Sequence, residues 1–430
     1  MIAPSKPRRR PDCQSRAAEM SGPTCRFCGA VLHHVFVDLG ATPLCESYVS
    51  AERYDEAEPF YALRAYVCAA CYLVQLEALI APDAVFTDYA YFSSYADSWI
   101  AHARRYAEAA VERLGLGADS LVVELGSNDG YLLQHFVVRD IPVLGVEPAA
   151  NVAAAARAKG IRTLVRFFGE AVARELVAAE RQADLVVANN VLAQVPDLHD
   201  FVAGIAVLLA PRGVATVEVP HLLRLLEENQ FDTIYHEHFS YFSFLTAQQL
   251  FAYHGLRCFD VDELSTHGGS LRFHLCHSDD ATRPTSPAVA ALAQRERAAG
   301  LDRLEGYAAF AERVHEAKRA ILAFLIDAKR RGRTVVGYGA PGKGNTLLNY
   351  CGVRTDFIDY TVDRNPYKQG KFLPGTRIPI HAPERIAQTR PDYLFVLPWN
   401  LQDEIIEQMR GIRAWGGRFV IPIPTLKVVP

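Results

Sequence analysis

The stretch "LVVELGSNDGYLLQHF", residues 121–136, decides the fold of this chain. It predicts an apolar strand, a glycine-bearing turn and an amphipathic helix in direct succession. Gly126 and Gly130 allow the backbone to approach a ligand closely, and the N-terminus of the following helix would offer unpaired N–H groups. The stretch therefore predicts a ligand-binding turn at the end of a buried strand.

A second strand and helix follow in "IPVLGVEPAANVAAAARAKG", residues 141–160. The strand ends in Glu147, and an acidic side chain there can accept hydrogen bonds from both ribose hydroxyls of a ligand. The spacing from Glu124 through Gly126 to Gly130 differs from the dinucleotide fingerprint and suits a ligand without a pyrophosphate. It is typical of S-adenosylmethionine methyltransferases, although any strand, glycine and helix turn could produce it. The candidate cofactor contacts are Glu124, Gly126, Ser127, Asn128, Gly130 and Glu147.

Two more strands extend the same unit. "ADLVVANNVLAQVPD" predicts a strand from Asp184 to about Ala188, followed by Asn189 and Asn190. Ligand contacts cluster at such strand ends in open parallel sheets, so both asparagines join the candidate cofactor contacts. "LLAPRGVATVEVP" predicts the end of a helix, a Pro-Gly turn and a strand ending at Pro220. Strands that alternate with helices predict a doubly wound parallel sheet.

The C-terminal third predicts a smaller α/β unit of the same kind. A long amphipathic helix in "GYAAFAERVHEAKRAILAFLIDAKRRG" precedes "TVVGYGAPGKGNTLLNYCG", which predicts a strand, a glycine-rich turn and a helix. The turn is not a P-loop, because Gly344 follows Lys343. Backbone amides and one lysine could still hold a diphosphate, and Trp399 could stack on a base. A structural turn with a surface lysine is the alternative. The candidate substrate contacts here are Lys343, Asn345, Trp399 and Asn400.

Four cysteines near the N-terminus have the spacing of a metal site. Cys25 and Cys28 form "CRFC", and Cys68 and Cys71 form "CAAC". Two such pairs complete a tetrahedral thiolate shell for Zn²⁺ with no open position, which predicts a structural site. Ordinary thiols are the alternative. The remaining cysteines lack this spacing and are interpreted as buried or incidental thiols: Cys13, Cys45, Cys258, Cys276 and Cys351.

Composition excludes several classes of function. The 430 residues suffice for two to three domains, and 50% hydrophobic with 22% charged residues is typical of a soluble globular protein. A net charge of -4 argues against a nucleic-acid partner. The longest apolar runs reach about half the ~20 residues of a membrane span, so none is expected. The first nineteen residues are basic without an apolar h-region, so we expect no secretory signal and a cytoplasmic protein.

The segment "FDTIYHEHFSYF", residues 231–242, places four titratable side chains in an apolar setting. A metal site would need further ligands that the sequence does not offer near His236 and His238, and a structural role for any single histidine is the bland alternative. Its position after the strand ending at Pro220 favours proton transfer beside the cofactor. His238 could take a proton, Glu237 could orient it or hold substrate, and Tyr235 could donate to an enolate oxygen.

Seven motifs in order resemble one family, the sugar C-methyltransferases that act on nucleotide-linked 4-keto-deoxy sugars. The match covers nearly the whole chain after residue 24. It comprises the two cysteine pairs, "DYAYFSSYADSW", "VVELGSNDGYLL", "GVEPAANVA", "YHEHFSYFS", "HGGSLR" and "GYGAPGKGN".

The resemblance implies a three-part α/β enzyme with structural zinc and S-adenosylmethionine as cofactors. After a disordered tail at residues 1–20, we expect a small zinc-binding domain over 21–88. A central doubly wound methyltransferase domain would span 89–258. A Rossmann-like α/β domain that binds the nucleotide sugar would span 259–430.

The resemblance also implies a mechanism. A base removes the proton next to the C4 keto group, from C3 or C5, and the enolate attacks the methyl group of S-adenosylmethionine. His238 resembles that base, with Tyr235 and Glu237 beside the sugar. Tyr89 or Tyr91 would close over the site from the zinc-binding side. The expected substrate is a keto sugar linked to thymidine diphosphate, bound by a monomer or weak homo-oligomer.

One residue departs from the family pattern. Family members often have "NVLAHVPD" where this chain has "NVLAQVPD" with Gln194. Glutamine can hydrogen-bond a sugar oxygen but cannot carry a proton at neutral pH, so Gln194 is a candidate substrate contact only. Two alternatives stay open, namely a sugar O- or N-methyltransferase and a non-catalytic zinc-bearing binding protein.

Overall fold

The computed structural model describes residues 22–77, 92–95 and 97–430. The predicted tail at 1–20 lies outside these ranges, as do Cys13, Tyr89 and Tyr91. The strands are β1 His34–Thr42, β2 Tyr61–Val67, β3 Val74–Leu76, β4 Val122–Leu125, β5 Val143–Val146, β6 Thr163–Leu164, β7 Ala183–Asn189, β8 Leu209–Pro220, β9 Ser240–Tyr241, β10 Leu256–Leu264, β11 Ser270–His277, β12 Val335–Tyr338, β13 Thr361–Val362, β14 Ile380–His381, β15 Tyr393–Val396, β16 Arg418–Ile421 and β17 Lys427–Val429.

The α-helices are α1 Asp97–Leu114, α2 Gln134–Val137, α3 Ala150–Ala158, α4 Glu170–Ala179, α5 Leu198–Leu208, α6 Leu222–Glu227, α7 Phe244–Tyr253, α8 Pro287–Ala298, α9 Glu305–Ala308, α10 Phe310–Arg330, α11 Gly342–Cys351, α12 Arg385–Thr389 and α13 Gln402–Gln408. Short 3₁₀ turns occur at Ala51–Arg53, Ser93–Tyr95, Leu192–Gln194, Phe231–Thr233, Thr266–Gly268, Trp399–Leu401 and Arg410–Trp415. Within the described ranges, every helix is too short or too polar to cross a membrane.

The first sheet joins strands that lie far apart in the sequence. Its order is β1-β2-β3-β9, and each neighbouring pair is antiparallel. Strand β9 directly follows the segment Tyr235–His238, which was predicted to carry the chemistry. That segment is therefore attached to the sheet that carries the four cysteines.

The middle sheet has the order β10-β11-β8-β7-β4-β5-β6. Strands β4 to β8 are parallel, while β10 and β11 run antiparallel to their neighbours. Strand order reverses between β4 and β7, and such reversals open a crevice at the carboxyl ends of the strands. The predicted domain boundary at 258 falls inside β10. Antiparallel pairing with β11 keeps this strand in the middle sheet.

The third sheet repeats this plan with six strands in the order β14-β13-β12-β15-β16-β17. All neighbours are parallel except β16 and β17. The order reverses between β12 and β15, so a second crevice forms next to the glycine-rich turn after β12.

The first sheet shares a core with each α/β unit. Phe36 of β1 stacks on Phe310 of α10 with ring centroids 4.5 Å apart, and both rings are buried. On the other side, Cys25 and Cys71 lie in one apolar cluster with Phe251 of α7. Burying a Phe side chain stabilises a fold by about 2–3 kcal/mol, so these contacts hold the three sheets together.

The structure differs from the sequence prediction in the helix after β4. Only α2, a single turn, forms there, and residues Tyr131 to Leu133 make turns before it. Leu132, Leu133 and Phe136 are all fully buried, while Gln134 and His135 are partly exposed, so the segment still places its apolar side chains inward. The long helix predicted near residue 310 is confirmed as α10.

Candidate functional site

The four predicted cysteine ligands come together. The sulfur atoms of Cys25 and Cys71 are 3.5 Å apart, those of Cys28 and Cys68 are 3.4 Å apart, and all four lie within 4.8 Å of one another. Zinc with sulfur ligands at about 2.3 Å would separate neighbouring sulfurs by about 3.8 Å, so the group fits a tetrahedral ion. Gln75 Nε2 also donates to the Cys25 sulfur at 3.1 Å.

The other described cysteines, Cys45, Cys258, Cys276 and Cys351, are buried thiols. Burial raises the pKa of Cys258 and of Cys351 to about 12. These two thiols are therefore protonated at neutral pH.

A cavity of about 500 Å³ lies at the carboxyl ends of β4, β5 and β7. All three parts of the chain contribute to its wall. The predicted site residues that line it are Gly126, Asn128, Glu147, Asn189, Asn190, Gln194, Tyr235, Glu237, His238 and Lys343. This volume is within the range of binding sites for small molecules and cofactors.

The turn after β4 is built so that only glycine fits at its first position. Gly126 has φ 63°, and a Cβ there would lie 2.5 Å from Val191 Cγ2. Gly130, with φ 78°, would bring a Cβ to 2.3 Å from Ile161 Cδ1. Gly126 lines the cavity, while Gly130 is needed for packing behind it.

Glu147 ends β5 and fixes the turn. Its Oε2 accepts the backbone N–H of Asn128 at 2.9 Å, and its Oε1 accepts that of Ala149 at 2.8 Å. Burial raises the pKa of Glu147, and these two N–H groups oppose that rise. The carboxylate faces the cavity and keeps acceptor capacity for ribose hydroxyls.

Two further predicted cofactor contacts also lie behind the cavity wall. Glu124 and Ser127 are buried and do not line the cavity. Burial, together with the charges of Glu147 and Asp129, holds the pKa of Glu124 well above its ordinary value. Glu124 is thus in place to support the turn rather than to touch a ligand.

The end of β7 presents polar atoms to the cavity. Asn190 has φ 58°, an uncommon value for a residue other than glycine. In the described residues, neither side-chain polar atom of Asn190 nor Oδ1 of Asn189 has a hydrogen-bond partner, although all three are buried. A buried polar group left unpaired costs about 1–3 kcal/mol, so these atoms fit a site that a polar cofactor completes.

His238 is held as a neutral base. Its Nδ1 donates to the backbone carbonyl of Thr233 at 3.1 Å, since a carbonyl can only accept, and Nε2 therefore carries the lone pair. Burial lowers the pKa of His238 to about 4, against the effect of the Thr233 bond, and the charges of His267 and Lys343 lower it further. The imidazole is unprotonated at neutral pH.

The neighbours of His238 have distinct surroundings. The ring of Tyr235 lies 4.2 Å from that of His238, and burial raises the pKa of Tyr235 well above 10, so its hydroxyl stays a donor. Glu237 Oε1 accepts from the thiol of Cys45 at 3.4 Å. His236 turns away from the cavity and donates through Nε2 to Ala62 of β2 at 3.1 Å. This contact places His236 against β2 and away from the cavity.

Lys343 begins α11 and reaches the cavity. Its Nζ donates to Asn400 Oδ1 at 2.9 Å and lies 4.7 Å from the Trp399 ring centroid. Burial lowers the pKa of Lys343, and the charge of Asp232 opposes this. Asn400 therefore supports Lys343 and does not itself line the cavity.

Two predicted substrate contacts are corrected by the structure. Trp399 is 5% exposed and donates its indole N–H to Asp232 at 2.7 Å, so its burial contradicts the predicted stacking on a base. Asn345 is also buried, and its Nδ2 donates to the backbone of Cys45 at 2.6 Å. Asn345 thereby fixes the loop that carries Cys45.

Several cavity residues were missed by the sequence prediction: Glu46, Trp99, Arg166, His267 and Lys368. His267 has φ 54° and packs its ring edge against Trp99 with centroids 4.9 Å apart. The motif "HGGSLR" contained His267, but nothing in the sequence placed it opposite the cofactor turn. Lys368 donates to the carbonyl of Ala340 at 2.8 Å and had no sequence signal at all.

Three family profiles match consecutive parts of the chain. They are described as "Putative zinc binding domain" over residues 25–86, "Methyltransferase domain" over residues 99–261 and "C-methyltransferase C-terminal domain" over residues 265–424. The C-methyltransferase NovU of Streptomyces niveus is 40% identical over 405 residues, which cover 94% of this chain and 96% of NovU.

Solved methyltransferase structures are more distant. The 1,6-didemethyltoxoflavin-N1-methyltransferase of Burkholderia thailandensis has 20% identity and a TM-score of 0.34, covering 48% of this chain and 95% of that one. The magnesium protoporphyrin IX methyltransferase ChlM of Synechocystis has 14% identity and a TM-score of 0.32, covering 42% and 82%. Similarity at this level carries no conclusion about the substrate.

Proposed function

Since this chain belongs to the zinc-containing, S-adenosylmethionine-dependent C-methyltransferase family, we propose that it methylates a nucleoside-diphosphate 4-keto-deoxy sugar on a carbon next to the keto group. The observation that carries the proposal is the shared cavity. It joins the glycine turn of the middle sheet, the base candidate His238 and the cation Lys343 from the third sheet. A methyl donor, a carbon acid and a diphosphate need these three kinds of wall.

His238 is the proposed base. Its Nε2 would take the proton from C3 or C5 of the sugar, and the electrons of that C–H bond would move towards the C4 oxygen. An uncharged imidazole can accept this proton without first losing one, and a placed base accelerates such a step by about 10² to 10⁴. The negative charge of a bound diphosphate would offset the Lys343 charge and make His238 more basic.

Tyr235 is the proposed donor to the enolate oxygen. Because burial keeps its hydroxyl protonated, it can donate a hydrogen bond that strengthens as charge develops on the C4 oxygen. Glu237 would orient the sugar through its hydroxyls. Gln194, which also lines the cavity, would bind a sugar oxygen.

S-adenosylmethionine, held at the turn of Gly126 and by Glu147, Asn189 and Asn190, supplies an activated methyl group on a sulfonium centre. The task left to the protein is to align the enolate carbon with that methyl group. Lys343 would anchor the diphosphate by charge-assisted hydrogen bonds, which fixes the sugar at a set distance from the turn.

Other parts of the prediction remain proposals. We keep the domain limit at 88, the thymidine diphosphate form of the substrate, the cytoplasmic location and the monomeric or weakly associating state as such. Tyr89 or Tyr91 would close the site from the zinc-binding side.

The test compares His238→Asn with His236→Asn, a neighbour that is also buried but faces β2. The measurements are exchange of the sugar α-proton with deuterated water and methyl transfer, using a panel of nucleotide 4-keto sugars. His238→Asn should lower both rates by about 10² or more, and His236→Asn should change them less than a few-fold. NMR of the product would identify C3 or C5.

The competing functions give different results. Methyl transfer to a sugar oxygen or nitrogen without α-proton exchange would exclude carbon methylation. Full activity of His238→Asn would exclude its role as the base. Absence of any methylated product with every sugar in the panel would contradict the proposed substrate class.

A further inference from the structure

A single residue, Arg26, links the candidate zinc site to the chain segment that carries His238. Arg26 sits between the ligands Cys25 and Cys28, and its Nη1 donates to the backbone carbonyl of Phe239 at 2.8 Å. Phe239 directly follows His238 in the chain. The guanidinium also lies 5.3 Å from the Phe239 ring centroid.

A second path links the same two places through Gln75, which is fully buried. Its Nε2 donates to the Cys25 sulfur at 3.1 Å, and its Oε1 accepts the backbone N–H of Arg26 at 2.9 Å. The backbone of Gln75 pairs with Ser240 in the β3-β9 ladder. One glutamine thus contacts the metal ligand, the arginine and the strand that follows the base.

The Phe239 carbonyl is held by two donors. It accepts from Arg26 and also from the backbone N–H of Leu76 in β3 at 2.9 Å. The His238 ring is fixed on its other side by the Thr233 carbonyl. The base is therefore held between its own turn and the cysteine site.

We propose that Arg26 and Gln75 are positioning residues through which the tetracysteine zinc site fixes the His238 imidazole for proton abstraction. The inference rests on the proposed role of His238. Proton transfer needs the base within hydrogen-bond reach of the carbon acid, and a displacement of about 1 Å can cost about 10² in rate. On this view the zinc site is structural in its coordination but contributes to kcat.

The main test uses Arg26→Met, with Arg64→Met as the matched control. Arg64 lies in β2 of the same sheet and pairs with Asp38 at the surface, away from both the cysteines and His238. Four measurements are made on the full chain: bound zinc, the thermal midpoint, hydrogen exchange of the peptide spanning residues 233–241, and steady-state kinetics. The kinetics give kcat and the two KM values, for S-adenosylmethionine and for the nucleotide sugar.

Arg26→Met should keep about one zinc per chain and a thermal midpoint close to that of Arg64→Met. Hydrogen exchange in residues 233–241 should rise about tenfold or more, and kcat should fall about tenfold, because the base is less well fixed. Both KM values should change less than about twofold. Arg26→Lys keeps one donor for the Phe239 carbonyl and should recover most of the lost kcat.

Normal exchange and normal kcat in zinc-loaded Arg26→Met would overturn the proposal, as would equal effects from Arg64→Met. Should Arg26→Met purify without zinc, Gln75→Met takes its place, because that change removes the N–H···S contact to Cys25 and the Oε1 contact to the Arg26 N–H and keeps all four ligands. The same readouts then decide in the same way. Full activity of His238→Asn would refute the proposed function, whereas the hydrogen-exchange result judges the positioning role independently of activity.

Discussion

The two glycine turns of this protein follow the same backbone plan but have opposite chemical surroundings. Each follows a central parallel strand at the reversal of strand order, β4 in the middle sheet and β12 in the third. In each, an acidic residue after the neighbouring strand accepts a backbone N–H from the turn. Glu147 accepts from Asn128 at 2.9 Å, and Asp363 accepts from Ala340 at 2.7 Å.

The difference lies in which charges face the cavity. The first turn brings Glu147 and the side-chain atoms of Asn189 and Asn190 that have no partner in the described part of the chain. The second brings two lysine side chains, the half-buried Lys343 and the buried Lys368. A cationic sulfonium ligand suits the first wall and an anionic diphosphate suits the second. A shared backbone motif therefore sets where a ligand binds, while a few side chains set which ligand it is.

The largest expected effect is a loss of affinity for S-adenosylmethionine in Gly126→Ala, a substitution in the turn after β4. A methyl group there would meet Val191 at 2.5 Å and would impose φ 63° on alanine, so the turn must move. Affinity for S-adenosylmethionine should fall about 100-fold while sugar-nucleotide affinity stays within about threefold. Titration calorimetry measures both. Gly160→Ala, with φ 79° and open space, is the control for backbone strain alone; an equal loss there would contradict the steric explanation.

A smaller and opposite change is expected for the second turn with Lys343→Met. Losing one charge-assisted hydrogen bond to a diphosphate should raise KM for the nucleotide sugar about 30-fold and leave the affinity for S-adenosylmethionine within about twofold. Lys318→Met is the control, because Lys318 also covers an aromatic ring, that of Tyr350 at 4.5 Å, outside the cavity. If the two ligands lost affinity equally, the two turns would not be specialised as proposed.

His238, the proposed base, should titrate at unusually low pH. With a pKa of about 4, His238 stays unprotonated at pH 5.5, so kcat/KM for the sugar should fall less than about twofold between pH 7.5 and 5.5. A histidine with the ordinary pKa of about 6.5 would lose about tenfold over this range. Initial rates measured across this pH range distinguish the two pKa values. A fall in kcat/KM centred near pH 6.5 would show that His238 is either exposed to water or not the base.

The same group predicts the smallest effect, on stability. Its folded pKa of about 4 lies below the unfolded value, so the unfolded chain binds the proton more readily between pH 6.5 and 4. Stability from this group is therefore lost as pH falls. Between pH 6.5 and 5.5 the free energy of unfolding should fall about 1 kcal/mol more for the wild type than for His238→Asn. Denaturant titrations at both pH values measure the difference. An equal fall in the free energy of unfolding for the wild type and His238→Asn would contradict the prediction.

The sequence was sufficient for features that depend on short spacing. Two C-x₂-C pairs predicted the four-sulfur group, and the strand-glycine pattern around Gly126 predicted the turn that lines the cavity. Glu147, Asn189 and Asn190 followed from the rule that ligands gather at the carboxyl ends of parallel strands. Each of these inferences needs only local geometry, which the periodicity of the chain records.

The sequence was insufficient where packing decides what a side chain can reach. Trp399 looked free to stack on a base, but Asp232 takes its indole N–H and Lys343 covers its face. Asn345 looked like a ligand contact, but it holds the Cys45 loop. Lys368 and Glu46 reach the cavity from parts of the chain that share no motif with it.

Residue type and spacing over a few residues encode the three units, the metal ligands and the base candidate, so these can be predicted from the sequence. Tertiary contacts were needed to show that β9 joins the sheet next to the cysteines and that two charged walls face one cavity. Those facts depend on contacts between residues more than 100 positions apart. Such contacts are selected by the total burial of apolar surface, which no local pattern reports.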